Sequence, residues 1–191
     1  MMGPPVQRAP AGVRESEEIG LLHQIAGRDR GAFDRLYRIY YRRLARFLEH
    51  IVRHPHLIEE IVNDTMLVVW TSAGRFNQAS RVSTWIFGIA YKTALRALRR
   101  TGRVQETDED YDIAVSDATP EHLLAARQRQ QRITQALGTL SREQRAVVEL
   151  TYYHGCPYHE IAEILGCPVD TVKTRMFHAR RKLKPLLGQE E

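Results

Sequence analysis

Cysteine is nearly absent from this chain: Cys156 and Cys167 are the only two among 191 residues. That is too few for a secreted disulfide scaffold and fits a reducing cytoplasm. No apolar run approaches the ~20 residues of a membrane span, so membrane insertion is not expected. The opening MMGPPVQRAPAGVRES lacks the apolar core of a signal peptide, and its Pro, Gly and Ala content reads as a disordered tail over residues 1–16. No stretch alternates as a strand would, and no internal repeat is visible. The scattered histidines and carboxylates form no nucleophile–base pair, no phosphate-cradling glycine loop and no H-E-x-x-H motif, which argues against an enzyme. His154, Cys156, His159 and Cys167 lie close in sequence, but their spacing matches no strong zinc pattern. Neither a metal nor a cofactor is therefore expected.

Positive charge is present, and it is segregated. The chain carries a formal charge of +5 and an isoelectric point of about 9.4, so a polyanionic partner is plausible. Val104 to His122 nevertheless holds Glu106, Asp108, Glu109, Asp110, Asp112, Asp117 and Glu121 with no Lys or Arg. The excess positive charge lies in the flanking segments, and the acidic stretch reads as a linker.

Apolar spacing on both sides of that linker is helical. A first helix is predicted over Glu17–Ala26. Asp29 then caps a second, reaching about Arg53, with Phe33, Leu36, Tyr37, Tyr40, Leu44, Phe47, Leu48 and Ile51 on one stripe. Pro55 suits the first turn of a third helix, which places Ile58, Ile61, Val62, Thr65, Met66, Val69 and Trp70 opposite Glu59, Glu60, Asn63 and Asp64. The loop GRFNQASRVS, Gly74 to Ser83, interrupts the pattern. A fourth helix follows over about Thr84–Arg100, with Trp85 and Ile89 on its apolar face and Lys92, Arg96, Arg99 and Arg100 on its basic one. Beyond the linker a helix is expected over about Glu121–Leu137. Ser141 and Gln144 then form a capping box for a helix reaching Tyr152.

The chain closes on YHEIAEILGCPVDTVKTRMFHARRKLKPLL. A short helix collects Ile161, Ala162, Ile164 and Leu165, and Gly166-Cys167-Pro168 stops it. A second helix from about Val169 buries Val172, Met176, Ala179 and Leu183 and turns a basic surface outward. This is a helix-turn-helix signature, and such a second helix has the width and donor chemistry to enter a DNA major groove. Lys and Arg there can donate to guanine O6 and N7, and Phe177 can contact a thymine methyl. The fold expected is all-α: two small helical domains, 17–102 and 123–187, joined by an acidic flexible linker over 103–122, the C-terminal domain being the helix-turn-helix.

Three blocks together resemble the extracytoplasmic-function (ECF) group of bacterial RNA polymerase sigma factors. They are AFDRLYRIYYRRLARF with IEEIVNDTMLVVW, then RFNQASRVSTWIFGIA with LRALRR, then ALGTLSREQRAVVEL through the helix-turn-helix. The resemblance implies a first domain of the sigma region 2 kind, which binds core polymerase and opens the −10 element. It implies a second, of the region 4 kind, which binds the −35 element as duplex.

By matched position, Glu60, Asn63 and Asp64 fall on the polymerase-binding helix. Asn77, Gln78, Ala79, Ser80 and Arg81 fall on the loop that captures an extruded base, where short polar side chains can reach Watson–Crick edges. Lys92 and Arg96 would meet the −10 strand. Relatives often carry Asn at the first of these positions and Asp or Asn at the second, so more phosphate contact is expected here. Lys173, Thr174, Arg175, Phe177 and His178 match positions facing the −35 duplex. Arg180 and Arg181 are expected on phosphates, as is Thr171 at the helix start. Partners implied are core polymerase, promoter DNA and an anti-sigma factor. The linker, ~65 Å when extended, can let the two domains reach elements about two helical turns apart.

Overall fold

The computed structural model describes residues 11–52, 54–101 and 132–187, and every regular element among them is helical. In the N-terminal half α1 covers Ala11–Ala26, α2 Arg30–Val52, α3 Pro55–Ser72 and α4 Val82–Arg100, with a short 3-10 turn at Ala73–Arg75 before the loop. In the C-terminal half α5 is described over 132–138. After it come α6 (Arg142–Tyr152), α7 (Tyr158–Leu165) and α8 (Val169–Leu187). The expected linker at 103–122 and the first part of the helix expected from Glu121 lie outside the described residues, as do residues 1–10 of the expected tail.

Local chemistry explains most of the boundaries. Asp29 Oδ1 accepts the amide of Ala32 at 3.0 Å and so caps α2. Pro55 occupies the first turn of α3. Ser141 and Gln144 form both halves of the capping box that starts α6. Gly166 ends α7 in the left-handed conformation, φ 63°, which a residue without Cβ adopts at no steric cost.

Two starts differ from expectation. The first helix begins at Ala11, six residues ahead of Glu17, and takes in part of the stretch read as tail. Its Glu15 reaches across the fold, and Oε1 accepts the amide of Val82 at 2.7 Å. A carboxylate from α1 thus caps α4, which begins two residues earlier than Thr84. Glu18 adds a second anchor, accepting the buried Tyr40 hydroxyl at 2.6 Å.

The two halves are packed on one another. In the described structure α2 lies against α6 and α4 against α7, and their buried side chains join one continuous core. At its centre Phe47 meets Phe87 edge-on with centroids 5.1 Å apart, and the His154 ring lies 4.6 Å from Phe87. At Gly88 α4 faces α7 with room for a methyl group: a Cβ there would sit 3.8 Å from the Cα of Ile164, an ordinary contact distance. Polar groups ring this contact. Arg46 Nε donates to Glu149 Oε1 at 3.0 Å, Arg145 Nε to the His50 carbonyl at 2.8 Å and Arg145 Nη1 to that of Leu140 at 2.9 Å. Thr84 Oγ1 donates to Glu160 Oε2 at 3.0 Å.

Candidate nucleic-acid and partner interfaces

Among the described residues α8 is held from one side. Val172, Met176 and Ala179 are buried against α6 and α7, while Leu183 is half-buried. The outward face brings together Lys173, Thr174, Phe177, His178, Arg180 and Arg181, all exposed. Phe177 is 63% exposed, far from the core position an aromatic ring usually takes. Thr171 and Arg175 are half-buried at the helix edge, and Arg175 Nη1 lies 3.5 Å from Cys167 Sγ. Lys173 pairs with Asp170 at 3.0 Å, with both side chains solvent-facing. Such a pair is weak, so a stronger acceptor can replace it. Arg180 is steadied by the Tyr152 hydroxyl at 3.1 Å.

The loop before α4 is built differently. Asn77 Oδ1 accepts the amide of Ala79 at 3.1 Å, a local turn that lifts the chain. Gln78 sits at φ 59°, a conformation few non-glycine residues adopt. Asn77, Gln78 and Ala79 are exposed and Ser80 is half-buried. Arg81 is engaged within the chain: its guanidinium lies 3.5 Å from Glu15 and 3.6 Å from Glu160. Burial pulls the Arg81 pKa down, but Glu160 and Glu15 more than offset it, so the group stays charged. Trp85 is half-buried beside Phe76, with centroids 5.3 Å apart. Lys92 and Arg96 lie exposed one turn apart on α4.

On α3 the structure gathers Glu60, Asn63 and Asp64 on one exposed face. Arg100 of α4 donates to Glu60, and the Tyr37 hydroxyl of α2 donates to Asn63 Oδ1 at 2.9 Å. Asp64 forms no ion pair among the described residues.

Charged groups inside the junction escaped the sequence reading. Glu149 and Glu160 sit among apolar neighbours on α6 and α7 and are buried. Burial raises the Glu149 pKa, with Arg46 opposing it. The His154 side chain is 3% exposed. Burial first, then Arg43, Arg46 and His50, lower its pKa to about 4, so it is neutral at pH 7. Burial, with Glu160 adding to it, pushes the Cys156 thiol up to about 11, which leaves little reactive thiolate. Both cysteines are free. Among the described residues no three His, Cys, Asp or Glu side chains converge as a metal site would require, and no helix is long and apolar enough to cross a membrane.

A helix-turn-helix with a basic exposed face, joined to a second helical unit with its own basic helix, defines a two-part DNA-binding protein. Comparison narrows the class. Residues 36–104 match the family model for Sigma-70 region 2, and residues 130–183 match that for Sigma-70, region 4. The ECF RNA polymerase sigma factor SigK of Mycobacterium sp. (strain JLS) is 31% identical over 172 residues, covering 88% of this chain and 89% of the relative. SigK of Mycobacterium tuberculosis (strain H37Rv) is 29% identical over 193 residues, covering 98% of each.

Among solved structures, CnrH in complex with the cytosolic domain of CnrY is 25% identical with a TM-score of 0.66, covering 92% of this chain and 99% of that one. The sigma factor RpoE in complex with the anti-sigma factor NepR from Bartonella quintana is 27% identical with a TM-score of 0.66, covering 83% and 98%. The chain belongs to the ECF RNA polymerase sigma factors.

Proposed function

We propose that this sigma factor binds core RNA polymerase through Glu60, Asn63 and Asp64 on α3 and reads promoter DNA at two places. Asn77, Gln78, Ser80, Arg81, Lys92 and Arg96 serve the −10 element. Thr171, Lys173, Thr174, Arg175, Phe177, His178, Arg180 and Arg181 serve the −35 element. The observation that carries the reading is the free face of α8, where cationic donors and one exposed aromatic ring stand on a helix pinned from behind. That arrangement suits a major groove. The protein works in the cytoplasm, where its polymerase is, and supplies no catalytic group of its own.

We also assign it to control by an anti-sigma factor in a stress response. The two solved neighbours support the first part, since each is a complex and one names its partner an anti-sigma factor. Among the described residues an apolar groove of about 630 Å³ between α5, α6 and α8, lined by Ile133, Leu137, Val148, Tyr152 and Leu183, offers such a partner a face.

The test is reconstitution. The full chain is mixed with core polymerase and sheared DNA from its own host, and run-off transcripts are mapped. Discrete new start sites sharing a two-part upstream motif are expected. A folded protein that neither binds core nor yields transcripts would mark a plain DNA-binding regulator instead. Charge reversal at the exposed Asp64, Asp64→Arg, should abolish core binding and leave the fold intact; normal core capture by that variant would remove α3 from the interface.

A further inference from the structure

The polar face of α3 carries one apolar residue. Positions 60, 63, 64, 67 and 71 fall on one side of the helix, and in this chain they are Glu60, Asn63, Asp64, Leu67 and Thr71, all exposed. Leu67 is 59% exposed one turn beyond Asn63 and Asp64. The opposite side of α3 is already filled by Ile58, Ile61, Val62, Met66 and Val69, so Leu67 contributes nothing to the core.

Aromatic rings of α2 lie next to Asn63, one turn from Leu67 on the same helix. The Tyr37 hydroxyl donates to Asn63 Oδ1 at 2.9 Å, and the Tyr37 ring stacks on Tyr41 with centroids 5.7 Å apart. Burial, with Tyr41 and Glu59 adding to it, raises the Tyr37 pKa, so the phenol keeps its proton and remains a donor. Tyr41 is 38% exposed. An exposed leucine one turn from two carboxylates and an amide, with exposed aromatic surface on the neighbouring helix, has the composition of a protein-binding hot spot.

We propose that Leu67 is the apolar anchor of the core-polymerase interface, with Tyr37 positioning Asn63. This rests on the assignment of Glu60, Asn63 and Asp64 to polymerase binding. The partner surface is accordingly basic at its edges, facing Asp64, with an apolar recess for one leucine side chain. The acidic rim orients the encounter, and burial of Leu67 slows departure. Tyr37 acts indirectly: its hydrogen bond holds the Asn63 amide in one orientation and leaves the Asn63 amino group free to donate outward.

The experiment measures core-polymerase affinity of the full-length protein by competition, with thermal melts run alongside. Leu67→Ala should weaken binding at least about tenfold with an unchanged melt, because the side chain packs against solvent. Tyr37→Phe should weaken it about three- to fivefold, the share of one hydrogen bond. That loss should vanish in an Asn63→Ala background, as expected of a residue acting through its neighbour. Wild-type affinity for Leu67→Ala alongside failed binding by Asp64→Arg would overturn the anchor and leave the acidic interface standing. Wild-type affinity for both would overturn the interface itself. Equal losses from Tyr37→Phe in both backgrounds would remove the positioning role.

Discussion

The two surfaces assigned to DNA stand in opposite conditions. The face of α8 is ready for a ligand, since its only ion pair in the described structure is Lys173 with Asp170 in the open. The loop before α4 is occupied by its own chain, with Arg81 between Glu15 and Glu160, and α7 lying along α4. The difference teaches that basic residues near a DNA-reading position are not equally available. On α8 the cations hold only solvent-facing or neutral partners, while at the loop the leading cation already has two carboxylates.

The comparison is broken most forcefully at Arg145. Its buried guanidinium ties α6 to the carbonyls of His50 and Leu140. Arg145→Ala leaves both acceptors without this donor and should cost about 2–4 kcal/mol in chemical denaturation. A loss confined to a few tenths would mean that the junction adds little to the fold.

Lys173→Ala should sharpen the contrast from the free side. Removing a base contact costs ~1–3 kcal/mol at a single −35 position, read by binding to duplexes with each base varied. A uniform loss over all duplexes would make Lys173 a phosphate contact.

Acid should act on the junction rather than on α8. The unfolded imidazole of His154 takes up a proton near pH 6.5, but the folded one only near 4. The unfolded state therefore binds more protons across that window, and stability falls as pH falls. Between pH 7 and 5.5 the expected loss is about 1 kcal/mol. Glu149, whose pKa burial raises, works in the opposite sense as the pH nears the carboxylate range. His154→Gln should flatten the profile above that range, and an unchanged slope in denaturant melts would assign it elsewhere.

The smallest effect is expected at Gly88. A Cβ there meets Ile164 at ordinary contact distance, so Gly88→Ala should gain up to about 1 kcal/mol of helix propensity. A loss would show that α4 and α7 pack more tightly still.

Much of this was legible in the chain because it is local. The capping box joins residues three apart, Gly166 needs only its own φ, and the apolar stripes of α2, α3 and α8 repeat every three or four positions. The two faces of α8 are legible for the same reason, since helix periodicity separates them, although Arg175 lies half-buried at the edge. What stayed hidden acts over distance. Glu15 and Val82 are 67 positions apart, Thr84 and Glu160 76, Arg46 and Glu149 103. A partial signal existed: Glu149 and Glu160 each interrupt an apolar face, and a carboxylate there needs a buried partner. No pattern within α6 or α7 could say that the partners belong to α2 and α4. Leu67 is the converse case: its register already sets it on the side of Glu60, Asn63 and Asp64, outside the apolar stripe, but an apolar residue there draws notice only once its exposure is known.

Glu160 links two tasks that the sequence keeps far apart. It sits in the first turn of α7, the supporting helix of the helix-turn-helix, yet its carboxylate meets Thr84 and Arg81 at the start of α4. Any ligand that needs Arg81 for itself competes with that carboxylate. By linkage, its apparent affinity for the intact chain is reduced by the fraction of molecules in which the contact is closed. Occupation of Arg81 by a ligand and its pairing with the Glu160 carboxylate thus oppose one another, each weakening the other reciprocally.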